Sequence, residues 1–213
     1  MPAISASAPG KVILFGEHAV VYGRPALAVP VTQVRARVVI TPLIHAPAGR
    51  VDIDAPAVGL STDLASLPEG HPLAAAVRGT LEALNIAAPP AMSVCITSTI
   101  PVAGGLGSGA AVSVALIRAV SAFCGRPLAD ETVCDLAYQM EKIHHGSPSG
   151  IDNTVITYQR PVFFVRGQPI ETVEVGAPLT LIIGDTGIAS PTALTVGDVR
   201  AAWARDPEPF EKV

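Results

Sequence analysis

The feature that most restricts the fold is a nine-residue run near the middle of the chain, Pro101-Val102-Ala103-Gly104-Gly105-Leu106-Gly107-Ser108-Gly109. Glycine at four of these positions is unsuited to the interior of a helix or a strand, so the run reads as a turn. Residues 92–97 before it alternate apolar and polar, as a half-buried strand does. Residues 110–123 after it are apolar on almost every side and read as a buried helix. A strand, a glycine turn and a helix place unpaired N–H groups at a helix N-terminus. Those donors and the helix dipole favour a bound phosphate, and glycine lets its oxygens reach the backbone. The run matches neither GxxxxGK[ST], since no lysine follows Gly109, nor GxGxxG. On spacing alone, a plain strand-to-helix connection stays open.

The rest of the chain punctuates into short elements. Residues 11–15 form a strand that Gly16 ends, and residues 26–31 and 34–40 form two more; in the last, Val34, Ala36, Val38 and Ile40 alternate with Arg35 and Arg37. Residues 42–71, rich in Pro, Gly, Asp and Ser, hold turns around a weak strand at 51–53. A helix is predicted over 72–84, with Pro72 in its first turn and Val77, Leu81 and Leu84 at helical spacing. Asp130 caps another, with Val133, Leu136, Met140 and Ile143 on one face, ending near Gly146-Ser147-Pro148. Strands at 154–158, 162–165 and 179–183 and a helix at 191–203 complete the reading, with a connection at 167–178. The order is α+β rather than a regular βαβ alternation.

Composition narrows the function classes. The chain has 213 residues, 49% hydrophobic and 15% charged, enough to bury a substantial core and too apolar for a disordered protein. A formal net charge of −4 without a basic run disfavours nucleic acid as a partner. Cys95, Cys124 and Cys134 lack CxxC spacing and read as free thiols. No signal peptide and no apolar run of membrane-spanning length is found, so a cytoplasmic protein without a membrane partner is expected.

Two further segments carry charge in suggestive places. Glu141-Lys142-Ile143-His144-His145-Gly146-Ser147-Pro148-Ser149-Gly150-Ile151-Asp152-Asn153 sets a carboxylate at a helix end, then a loop, then a second carboxylate. Phosphoryl transfer needs a carboxylate to hold metal and often a group that orients or deprotonates the attacking hydroxyl. A solvated Glu141 and an Asp152 closing an Asx-turn would give the same spacing. His144 and His145 are adjacent and diverge on a helix, which argues against a two-histidine metal site. Lys11, in Pro9-Gly10-Lys11, is the lone charge at the start of an apolar strand. It could reach a phosphate or influence a nearby acid, or simply extend its amino group to water from a strand end.

Taken together, the three segments resemble the GHMP kinases. The family's Pro-x-x-x-Gly-Leu-Gly-Ser-Ser-Ala pattern is met by Pro101, Gly105, Leu106, Gly107, Ser108 and Ala110. The opening Ala8-Pro9-Gly10-Lys11-Val12-Ile13-Leu14-Phe15-Gly16-Glu17-His18 and the run from His145 to Asn153 are similar to the mevalonate-phosphorylating branch of that family. The resemblance implies two domains: an ATP-binding domain like ribosomal protein S5 domain 2 over 1–175, and the start of a ferredoxin-like domain over 176–213, with the site between them. It implies ATP and Mg²⁺ as cofactors, mevalonate as acceptor, and a fold compatible with a homodimer. Phosphomevalonate, homoserine or a silent ligand-binding role are the competing readings.

The same resemblance implies roles. Asp152 and Lys11 are catalytic, Asp152 as base or orienter of the hydroxyl and Lys11 beside it. Glu141 and Ser108 hold Mg²⁺. Ser98, Gly104, Gly105, Leu106, Gly107, Ser108 and Gly109 surround the nucleotide, and Glu17, His18, Ser149 and Thr192 the acceptor. Two departures stand out. Gly109 occupies the place of the pattern's second serine, which helps to bind metal. A third glycine-rich motif, expected late in the carboxy-terminal domain, does not occur before Val213; a truncated chain with an uncovered apolar face is therefore expected.

Overall fold

The structure, a computed structural model, describes residues 2–145, 148–184 and 192–208, with backbone alone for 144, 145 and 192–196. Its centre is one long strand, β2 (Ala26–Pro42), which pairs along one side with β1 (Ile4–Phe15) in antiparallel register. On the other side its first residues meet β6 (Val162–Phe164) and its last meet β5 (Met92–Ser98). The two strands expected at 26–31 and 34–40 are the halves of β2. The register jumps between them, from Gly10↔Val31 to Pro9↔Arg35. That bulge bends the strand so that one element can serve two neighbours.

The full sheet runs β4-β3-β5-β2-β6-β7, with β1 beside β2. β3 (Val51–Ala55) forms a hairpin with β4 (Leu60–Asp63) and pairs in parallel with β5; β7 (Glu171–Thr172) closes the other edge. The strand expected at 51–53 is thus one arm of a hairpin whose other arm the sequence reading missed.

Four helices cover one face. α1 (Pro72–Ala83) begins with its proline, where the missing N–H costs nothing, and buries Val77 and Leu81. α2 (Ser108–Phe123) buries residues all round, because it packs between the sheet and both α1 and α3. α3 (Asp130–His145) buries Val133, Ala137 and Met140; Leu136 packs at the core's margin and Ile143 is exposed, so its apolar stripe is narrower than expected.

α4 (Ile151–Tyr158) corrects the strand expected at 154–158. Its run of β-branched residues suits a strand, but the helix is set by its start. Gly150 takes φ 94 at the N-cap, and the Thr154 hydroxyl donates to Gly150 O at 2.7 Å. Burial of Ile151 and Val155 against Ala26, Ala28, Val162 and Phe164 then overrides propensity. The strand expected at 179–183 is also absent: the described residues there are irregular and exposed, Ile182 by 95%. An extended apolar run becomes a strand only with a ladder partner, and this one has none among the described residues. α5 (Thr192–Arg205) follows, and its Trp203 ring lies 5.6 Å from that of Tyr22. All three cysteines are free; Cys134 is buried, Cys95 and Cys124 half-buried. No helix among the described residues is long and apolar enough to cross a membrane.

Candidate functional site

The site begins where β1 passes beneath the glycine turn. Gly10 has no room for a side chain: a Cβ would fall 3.1 Å from Leu106 O and 3.2 Å from Val34 Cγ2. That close approach lets the Lys11 N–H donate to Leu106 O at 3.0 Å, fixing the turn to the strand. Gly107, at φ 71, is the N-cap of α2 and carries no capping side chain. A Cβ there would meet Lys11 Cγ and Ile156 Cδ1, each at 3.0 Å. The lysine stem therefore runs directly under the helix start. Positive φ recurs at Ala103, Gly105 and Gly107, an alternation that turns backbone N–H groups toward one side. Residues 101–105 are exposed, and the first N–H groups of α2 have no intrahelical partner. The turn thus faces open space rather than lying under side chains.

Lys11 is 5% exposed, and its ammonium lies 3.1 Å from Asp152 Oδ1. Two residues 141 positions apart meet because β1 and α4 are both packed on α2. Asp152 sits in the first turn of α4, where the helix dipole favours a carboxylate. Glu141, 5% exposed near the end of α3, completes the charged group. Burial pushes its carboxyl up from 4.5 to about 7, Asp152 adds to the rise, and Lys11 opposes it. A Cβ on Gly109 would stand 3.7 Å from Glu141 Oε1, so the carboxylate looks onto the bare first turn of α2.

The remaining residues singled out from sequence stand as follows. Gly16 takes φ 86, and a Cβ there would be 2.2 Å from Pro25 O, so only glycine turns the chain after β1. Glu17, exposed, and His18, half-buried, follow on that turn, His18 at φ 62 and ψ −44. Such a backbone is strained for a histidine, a feature common at functional sites. Ser149 accepts the Ile151 N–H at 3.3 Å, just before α4. Ser98 accepts the Ile100 N–H at 3.1 Å, so its hydroxyl shapes the approach to the glycine turn. The side chains of His144, His145 and Thr192, and residues 146–147, lie outside the described residues. Sequence reasoning missed Ile156 and Asn153, which share α4 with Asp152. Reading residues 154–158 as a strand hid the helical spacing that puts Ile156 on the same side as Asp152.

A cation-holding role can be tested on the side chains present. Among the described residues no group of three or more His, Cys, Asp or Glu is poised to hold a metal. One buried carboxylate beside a helix N-terminus suits a cation that arrives with phosphate, which supplies the other oxygens. The donor set fits a hard divalent ion on that condition.

Comparison with known proteins gives a consistent picture. Residues 73–160 match the family model of the GHMP kinases N terminal domain. Mevalonate kinase of Pyrococcus furiosus is 36% identical over 217 residues, covering 96% of this chain and 64% of that protein. Mevalonate kinase of Archaeoglobus fulgidus is 35% identical over 213 residues, covering 98% and 67% respectively. Among solved structures, Methanococcus jannaschii mevalonate kinase superposes with a TM-score of 0.71 at 26% identity, covering 82% of this chain and 56% of that one. The L. major mevalonate kinase in complex with R-mevalonate gives 0.70 at 27% identity, covering 98% and 64%. The chain spans 64–65% of the length of the first curated relatives it matches.

Proposed function

The chain belongs to the GHMP kinase family, and from that premise we propose that the protein transfers the γ-phosphoryl group of ATP to the hydroxyl of mevalonate. The observation that carries the reading is the 3.1 Å contact of Lys11 and Asp152 beneath the glycine-capped start of α2. It joins a cation, a carboxylate and a set of free N–H donors at one place, as a reaction governed by positioning and charge requires. Similarity to mevalonate kinases over nearly the whole chain supports mevalonate as the acceptor.

In this mechanism the N–H groups of residues 104–109 hold the nucleotide phosphates, and Ser98 borders the same pocket. Glu141 and Ser108 would hold Mg²⁺, which would neutralise phosphate charge there. Glu17, His18 and Ser149 are assigned to the acceptor, and Thr192 is assigned there by family likeness alone. Asp152 orients the acceptor hydroxyl and takes its proton as the phosphoryl group departs toward it. Lys11 holds Asp152 in place through their 3.1 Å ion pair and faces the transferring group. Residues 176–213 open the second domain, which closes the cleft, and the protein works in the cytoplasm where ATP is available.

Kinetics of three variants of the full-length protein test this. Asp152→Asn is expected to lower kcat by about 10²–10⁴-fold with ATP affinity nearly intact. Glu141→Gln is expected to weaken binding of the metal–nucleotide as well as the rate, since its charge acts in the ground state too. Lys11→Met is expected to lower kcat. Near wild-type kcat for Asp152→Asn with mevalonate saturating would remove the base assignment.

A further inference from the structure

α4 presents two different faces, and the second has no place in the mechanism so far. Asp152 and Ile156, one turn apart, face Lys11 and Gly107. Asn153 and Thr157, also one turn apart, are buried. The Asn153 amide donates from Nδ2 to the backbone carbonyl of Cys134, at 3.2 Å, and to Cys134 Sγ, at 3.1 Å. The carbonyl decides the amide's orientation, because a flipped amide would set two acceptors against each other.

Asn153 is 3% exposed, and its Oδ1 is buried with no hydrogen-bond partner. A buried amide with half its capacity unused is a costly way to fill space; an apolar side chain of similar size would pack without that cost. What the amide adds is direction. Successive residues on a helix are about 100° apart, so a bond that fixes where residue 153 points also fixes where residue 152 points. The Thr154 hydroxyl, 3.8 Å from Cys134 Sγ and donating to Gly150 O at 2.7 Å, closes the first turn of α4 on itself, and the Arg118 bond to Thr157 O holds the far end of the helix; the Asn153 amide ties the first turn to the backbone of α3.

We propose that Asn153 is a positioning residue: its bond to the Cys134 carbonyl sets the rotation of α4 that brings Asp152 to Lys11. The role rests on the kinase reading above, in which Asp152 handles the acceptor hydroxyl. Misplacement of such a group by about 1 Å is enough to cost roughly a hundredfold in rate. Asn153→Asp keeps the shape and removes the donor facing the carbonyl. It is expected to lower kcat by roughly 10–100-fold while leaving KM for mevalonate and the Kd for ATP with Mg²⁺ within about twofold.

The deciding measurement is the pair of variants in one chain. In the full-length protein, Asn153→Asp added to Asp152→Asn should cause no further loss, because a residue that acts through Asp152 has nothing left to position. Losses that multiply would overturn the proposal, as would a crystal structure of Asn153→Asp with the Lys11–Asp152 contact still near 3.1 Å rather than beyond 4 Å. Thr157→Val, which removes a buried hydroxyl without a partner, serves as the packing control and should leave the kinetics unchanged. If Asn153→Asp does not fold, Asn153→Ser, with a shorter donor, carries the same comparisons. A wild-type protein inactive toward mevalonate would defeat the functional reading alone; the Lys11–Asp152 distance in the variant would still decide the positioning.

Discussion

At the scale of single residues, the site combines side chains that the fold must work to keep. Glu141 is the clearest case, with burial raising its carboxyl to about 7. Between its ordinary 4.5 and about 7 the folded chain binds more protons than the unfolded one, so stability falls as pH rises across that window. Glu141→Gln removes the ionisable group. Without nucleotide or metal, it should stabilise the protein at pH 8, by up to about 3 kcal/mol, and change little at pH 4.5. Urea unfolding at the two pH values checks the sign. Gly107 gives a second prediction. Alanine there meets both positive φ and two atoms at 3.0 Å, whereas alanine at Gly23, φ 80, meets open space. Gly107→Ala should therefore cost more than Gly23→Ala, by about 1 kcal/mol or more, in paired thermal melts.

At the scale of elements, α2 is the post on which the site is hung, and Arg118 is its main polar tie. Its guanidinium donates to Asp130 Oδ1 at 2.6 Å and to Thr157 O at 2.8 Å, joining α2 to the start of α3 and the end of α4. Asp130 is half-exposed, so Asp130→Asn should cost less than about 1 kcal/mol. Arg118→Met leaves a helix-end carbonyl without its donor and should cost about 1–3 kcal/mol; denaturant midpoints compare the two. The elements were legible in sequence where local pattern and tertiary need agree. α1, α2 and β5 announce themselves by period and by their bounding proline or glycines. α4 does not, because Thr154, Val155, Ile156 and Thr157 suit a strand, and it takes the Gly150 start together with burial between β2, β6 and α2 to make them a helix. The break between the two expected halves of β2 fell on a real bulge, but nothing local told that one strand runs through it.

For the whole molecule, the covered and uncovered parts behave differently. The face of the sheet under α1–α4 is closed, while Leu179, Leu181, Ile182 and Ile183 stand exposed and α5 meets the body through Trp203 on Tyr22. Trp203 is the single tryptophan of the chain. Its fluorescence should change at lower denaturant than the far-ultraviolet dichroism of the main helices, since a weakly covered element opens before the core. Coincident transitions would instead show α5 to be part of the cooperative unit. Binding of an apolar dye to the native chain, at the exposed run over 179–183, is the companion expectation.

By itself the sequence determined the chemical inventory and its likeness. A glycine turn before a buried helix, a lysine opening an apolar strand and two carboxylates around a loop are local facts, and each reads from neighbouring residues alone. It did not determine that Lys11 and Asp152 touch, that Glu141 is buried and Gly109 bares its approach, or that Asn153 faces Cys134. Those relations join residues far apart in the chain or on opposite faces of a helix misread as a strand. They exist because β1, α3 and α4 all pack against α2, and packing is a property of the folded whole, not of any window of sequence.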